Sequence, residues 1–126
     1  KFKDWDDLNK PGVRVAATLG TTQEKQVKEY FPNAEHVIIE PPAVPFQQVL
    51  SGRADAHITS NVEANKLVAI HSDLMIVPVS APKSPTPIAI LLPQADQVWI
   101  NYVNTWIKLK TERGFFEKLD AKWKLN

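Results

Sequence analysis

At 126 residues, 44% hydrophobic and 23% charged, the chain has room for one α/β domain with a core and has ordinary globular composition. Its formal net charge of +1 provides no global field for nucleic acid or an anionic membrane. Without cysteine it has neither disulfide nor thiol chemistry, and no run reaches the apolar length of a transmembrane helix. Lys1 to Lys10 is polar and charged, so it does not read as a signal sequence.

Phe2 to Pro11 is a short amphipathic stretch that ends in the turn signal Asn9-Lys10-Pro11-Gly12. Val13 to Thr18 reads as a strand, and Gly20 breaks it. Thr21 and Glu24 then fit a capping box that opens a helix running to about Phe31. Pro32-Asn33 stops that helix, and His36 to Ile39, rich in β-branched residues, is a second strand. Pro41 to Pro45 is an extended connector, and Pro45 suits the first turn of a helix whose apolar face is Phe46, Val49 and Leu50, ended by Gly52. Asp55 to Thr59 is the next strand. Ser60 caps a helix carrying Val62, Leu67 and Ile70, followed by strands expected at Leu74 to Val79 and Ile88 to Leu92, with Pro78, Pro82, Pro85 and Pro87 punctuating the loop between them. The alternation predicts an α/β lobe, a mostly parallel sheet with helices on both faces, whose ligand site lies outside the carboxyl ends of the strands.

After Pro93 the pattern changes. Asp96 to Glu112 reads as one long helix, and Gly114 separates it from a second helix with Phe115, Phe116, Leu119 and Trp123. The expected division is therefore 1–93 as the α/β lobe and 94–126 as a helical tail. Lys108, Lys110, Arg113, Lys118, Lys122 and Lys124 are interleaved with Glu112, Glu117 and Asp120, so they read as a solvated helix face rather than a nucleic-acid stripe. The tail's tryptophans, Trp99, Trp106 and Trp123, need a partner surface.

Several residues carry chemistry. Gly20, Thr21 and Thr22 stand at a helix N-terminus, where unpaired N–H groups and the helix dipole favour an anion, and Thr18 can line the same strand end. The plain alternative is an ordinary capped helix start. Ser60, Asn61 and Glu63 open another helix, and Ser60-x-x-Glu63 is itself a capping-box pattern. His36, His57 and His71 are scattered over separate elements without metal-ligand spacing, and read as structural or surface residues. With no phosphate loop, nucleophile elbow or metal set, neither a cofactor nor a metal is expected.

These features in this order resemble the second lobe of the type II periplasmic binding proteins, which serve amino-acid ABC transporters. The anchors are Asp7-Leu8-Asn9-Lys10-Pro11-Gly12-Val13-Arg14-Val15-Ala16, Gly20-Thr21-Thr22-Gln23-Glu24, Val49-Leu50-Ser51-Gly52-Arg53-Ala54-Asp55-Ala56, Pro87 to Leu92, and Gly114-Phe115-Phe116 with Trp123. The resemblance implies a periplasmic protein that holds a small amino acid or organic anion between two lobes and presents it to a membrane permease. It also implies that most of a first, N-terminal lobe precedes Lys1 and that the tail packs on it. A homodimer through the tail helices is the other partner considered. In that family the segment Gly20 to Thr22 helps bind the ligand carboxylate, whereas Ser60 departs from an aspartate that pairs with the ligand ammonium.

Thr59-Ser60-Asn61-Val62-Glu63-Ala64, His71-Ser72-Asp73-Leu74 and Ile90-Leu91-Leu92-Pro93-Gln94 further resemble the periplasmic cyclohexadienyl dehydratases, which convert prephenate or arogenate to phenylpyruvate or phenylalanine. That likeness implies a catalytic role for Glu63, as a buried general acid protonating the departing hydroxyl while carbon dioxide leaves; the alternative is an ionised Glu63 that accepts the ligand ammonium. A solute-binding module leads, a dehydratase-like enzyme is the second hypothesis, and a self-standing interaction domain whose tail helices pair with another copy is the third.

Overall fold

The computed structural model describes residues 2–85 and 89–123, and it divides into two compact units at Pro82/Lys83. The division falls earlier in the chain than the boundary expected near Pro93.

The first unit is built on a three-stranded parallel sheet in the order β2-β1-β3, with β1 (Arg14–Thr18) central between β2 (Glu35–Ile39) and β3 (Ala56–His57). Parallel strands need crossovers, which α1 (Thr22–Tyr30) and α2 (Pro45–Leu50) supply. β1 is buried at Val15, Ala16 and Ala17, as a strand covered on both faces must be. One face carries the core, where Val15, Ala17 and Ile58 meet Val27 and Phe31 together with Leu8 of a 3-10 turn, Asp6–Leu8. Trp5 lies against Tyr30 and Phe31, with ring centroids 5.7 and 5.3 Å away. The period of two turns Ala16 and His57 to the other face, and α2 packs on β1 and β3. Arg14 and Asp55 tie the central strand to β3: one carboxylate oxygen of Asp55 accepts from both the backbone N–H and Nε of Arg14, each at 3.1 Å.

The helix ends follow the local sequence. Thr21 Oγ1 accepts the Glu24 N–H at 3.4 Å, Pro45 stands at the start of α2, and Ser60 Oγ accepts the Glu63 N–H at 3.2 Å to open α3 (Asn61–Ile70). Gly52, at φ +72°, takes the chain out of α2 through a backbone conformation that L side chains rarely adopt. The Pro41–Pro42 peptide bond within the expected connector is cis.

Two expected strands are not formed. Leu74 to Val79 is irregular, with Met75, Ile76 and Val79 exposed. A β-branched run becomes a strand only where a neighbour takes its ladder of hydrogen bonds, and no described residues pair with this one. Residues 89–92 likewise form no strand, while the readings of Pro87, Ile88 and Lys124 fall outside the described residues.

Among its described residues the second unit contains two helices. Asp96 caps α4 (Gln97–Glu112) by accepting the Trp99 N–H at 2.8 Å, and Gly114, at φ +65°, separates α4 from α5 (Phe115–Trp123). Their seam is aromatic: Trp106 meets Phe115 and Phe116 edge-on at 6.1 and 6.2 Å, and Lys110 Nζ lies 5.0 Å from the Phe115 ring centroid.

Candidate functional site

β1 and β3 run parallel, so their carboxyl ends emerge together. There Thr18 ends β1, while Ile58 and Thr59 follow β3. α1, α2 and α3 each begin near these ends and contribute Gln23, Pro45 and Glu63. These residues and His57 line a cavity of about 130 Å³ lying wholly within the first unit. Strand ends in an open parallel sheet are where such folds take ligands.

Of the seven residues nominated from sequence, the cavity brings together Thr18 and Glu63. Gly20, Thr21, Thr22, Ser60 and Asn61 stand outside its lining. The reason is visible at α1. Glu24 Oε2 accepts the Gly20 N–H at 2.8 Å, and the Thr21 hydroxyl donates to the Thr18 carbonyl oxygen at 2.6 Å. The N-terminus read as an anion site thus holds a carboxylate of its own chain. Lys28, 2.6 Å from the other carboxylate oxygen, and then the Gly20 N–H keep the Glu24 carboxyl below its ordinary range.

At α3 the capping box is half made. Ser60 accepts the Glu63 N–H, but the Glu63 carboxylate does not turn back to the Ser60 backbone among the described residues. Its Oε2 instead accepts a hydrogen bond from the Thr59 hydroxyl. Glu63 stands at the cavity wall and is exposed among the described residues.

Sequence reasoning missed His57. It was set aside with the other histidines, yet it lines the cavity beside Glu63. Burial pushes its imidazole below the ordinary histidine value, and the Glu63 carboxylate opposes that shift. The other two histidines lie elsewhere: His36 Nε2 is 2.8 Å from the Phe31 carbonyl oxygen, and His71 packs on Phe46 with ring centroids 5.5 Å apart. The alternation of β3 could have flagged His57, because it shares the non-core face with Ala16. No group of described residues is placed to hold a metal ion.

No protein-family model matches the chain. A cyclohexadienyl dehydratase of Pseudomonas aeruginosa is 27% identical over 124 residues, 98% of this chain and 46% of that protein. Among solved structures, an ancestral amino-acid-binding protein described as a precursor of cyclohexadienyl dehydratase is 37% identical with a TM-score of 0.71. An ancestral cationic amino acid solute-binding protein is 40% identical with a TM-score of 0.76, and an ancestral cyclohexadienyl dehydratase is 40% identical with a TM-score of 0.63. Each covers 98% of this chain. These likenesses are consistent with the C-terminal half of a type II periplasmic binding protein. The chain spans about half the length of the relatives it matches. The structural neighbours share the α/β architecture of a small parallel sheet with helices, as expected from the order of elements.

Proposed function

We propose that the chain is the ligand-contacting part of a periplasmic solute-binding protein that takes a small amino acid or organic anion and delivers it to an ABC-type permease. The observation that carries this reading is the cavity at the carboxyl ends of β1 and β3, to which Thr18, His57, Thr59 and Glu63 bring polar groups. The amino-acid-binding relatives support it through 37–40% identity over nearly the whole chain. Periplasmic location follows from the same likeness. Binding is tested by calorimetry on the full-length protein with a panel of amino acids and dicarboxylates. Saturable retention of one small ligand is expected, and the absence of any binding defeats the reading.

The second reading, a cyclohexadienyl-dehydratase-like enzyme, rests on Glu63 and on the dehydratase relatives. A general acid works best in an enclosure that keeps its proton on until the leaving oxygen takes it. The Thr59 hydroxyl donates to Oε2 of Glu63, which leaves Oε1 as the oxygen that would carry the proton in this reading. The readings separate on incubation with prephenate. Phenylpyruvate formation that Glu63→Gln abolishes would establish the enzyme; no turnover together with ligand retention leaves the binding protein.

A further inference from the structure

We propose that His57 and Glu63 form a pair of acceptors that selects a cationic N–H donor of the ligand, an ammonium or guanidinium group. This rests on the solute-binding reading and names the ligand chemistry of the same site.

The argument starts from what the cavity wall carries. Thr18 from β1, Gln23 from α1, Pro45 from α2, and Ile58 and Thr59 after β3 bear no charge, and Glu63 of α3 is the one carboxylate facing His57. Among the described lining residues there is no lysine or arginine. A carboxylate ligand seated here would face Glu63 without a counter-charge, whereas a cation would gain one.

Glu63 is also prepared for that role. The Thr59 hydroxyl holds Oε2, which fixes the carboxylate and leaves the lone pairs of Oε1 for another donor. His57 supplies the second acceptor. No hydrogen bond to a described residue engages its ring nitrogens, and no buried side-chain nitrogen or oxygen is left without a partner. Those nitrogens therefore reach the cavity or solvent rather than the packed interior. A neutral imidazole offers one nitrogen as an acceptor, and burial at this position favours the neutral form. An ammonium carries three donors and a guanidinium five, so either can engage both groups at once.

The test is calorimetric titration of the full-length protein with L-lysine, L-alanine, L-glutamate and succinate. Lysine or alanine is expected to bind more tightly than succinate. Lysine ahead of alanine assigns the pair to a side-chain cation, and parity assigns it to the α-ammonium. His57→Leu is expected to weaken the amine ligand about ten-fold, the loss of one hydrogen bond to a charged group, while His57→Gln, which keeps an acceptor, retains most of the affinity. Acidification through the range in which His57 gains its proton, which lies below the ordinary histidine value, should weaken the wild type more than His57→Gln. Equal amine affinity in wild type and His57→Leu overturns the inference and leaves the solute-binding reading standing. Succinate binding more tightly than every amine does the same, and it decides the matter from the wild type alone if His57→Leu fails to fold. A wild type that binds none of the four removes the reading and the inference together.

Discussion

The two units place their apolar residues differently. In the first, Leu8, Val15, Ala17, Val27, Phe31 and Ile58 close around one face of the sheet, and Phe31 is only 2% exposed. In the second, no described residue of α4 or α5 is buried: Phe115 and Phe116 are half-buried beside Trp106, which stays exposed like Val98, Trp99, Tyr102 and Trp123. The difference lies in geometry rather than composition. A sheet presents several strands to one helix and completes its own core, whereas two helices share a single line of contact. Amphipathic patterning therefore shows which face wants burial without showing whether the described residues bury it.

The largest effect that would break this comparison is at the core. Phe31→Ala should cost about 3–5 kcal/mol, because Val15, Val27 and Trp5 cannot collapse into the space of a lost ring. Urea unfolding measures it. A loss below about 1 kcal/mol would mean that the first unit is no more tightly closed than the second.

Next in size is the tie between β1 and β3. Asp55→Ala leaves the Arg14 backbone N–H and guanidinium without their shared oxygen, at an expected cost of about 1–3 kcal/mol. Because β3 carries His57 into the cavity, ligand affinity should fall with stability. Hydrogen exchange at Ala56 and His57 would report local loosening even if global unfolding moved little.

A third test compares the ends of helices in the two units. Thr21→Ala and Asp96→Ala each remove an oxygen that accepts a backbone N–H, and each should cost about 1 kcal/mol in thermal unfolding. Both caps were legible in the sequence or one residue from it, since a cap depends only on neighbours along the chain. The parallel order β-α-β-α-β, Pro45 at the start of α2 and the break at Gly114 were legible for the same local reason. The strand expected at Leu74 to Val79 was not, because strands depend on partners that propensity does not supply. Two of the seven residues lining the candidate site were legible: Thr18 and Glu63 were named from the sequence, whereas Gln23, Pro45, His57, Ile58 and Thr59 meet only once the two crossovers bring them to the same strand ends.

Stability against pH sharpens the role of His57. Its folded value lies below the ordinary 6.5, so between that value and the lowered one the unfolded chain binds more protons than the folded chain. Stability must then fall as the solution is acidified from near neutral pH through that window. His57→Gln removes the titrating group and should flatten this part of the profile. An unchanged slope would mean that other groups set the acid sensitivity.

The smallest effect returns to the second unit. Val98 is 81% exposed on α4, so Val98→Ser removes almost no buried area and should shift unfolding by less than about 0.5 kcal/mol. Trp106→Ala, at the aromatic seam with Phe115 and Phe116, should cost more in the same assay because it breaks the contact between α4 and α5. The same Val98→Ser substitution in the full-length protein has a second use. If its cost there rises to about 1 kcal/mol or more, that face of α4 is covered by something beyond the described residues, and the exposed stripe is half of an interface. If the cost stays near zero, the stripe faces solvent, and the expectation that the tail packs on a first lobe fails for that face.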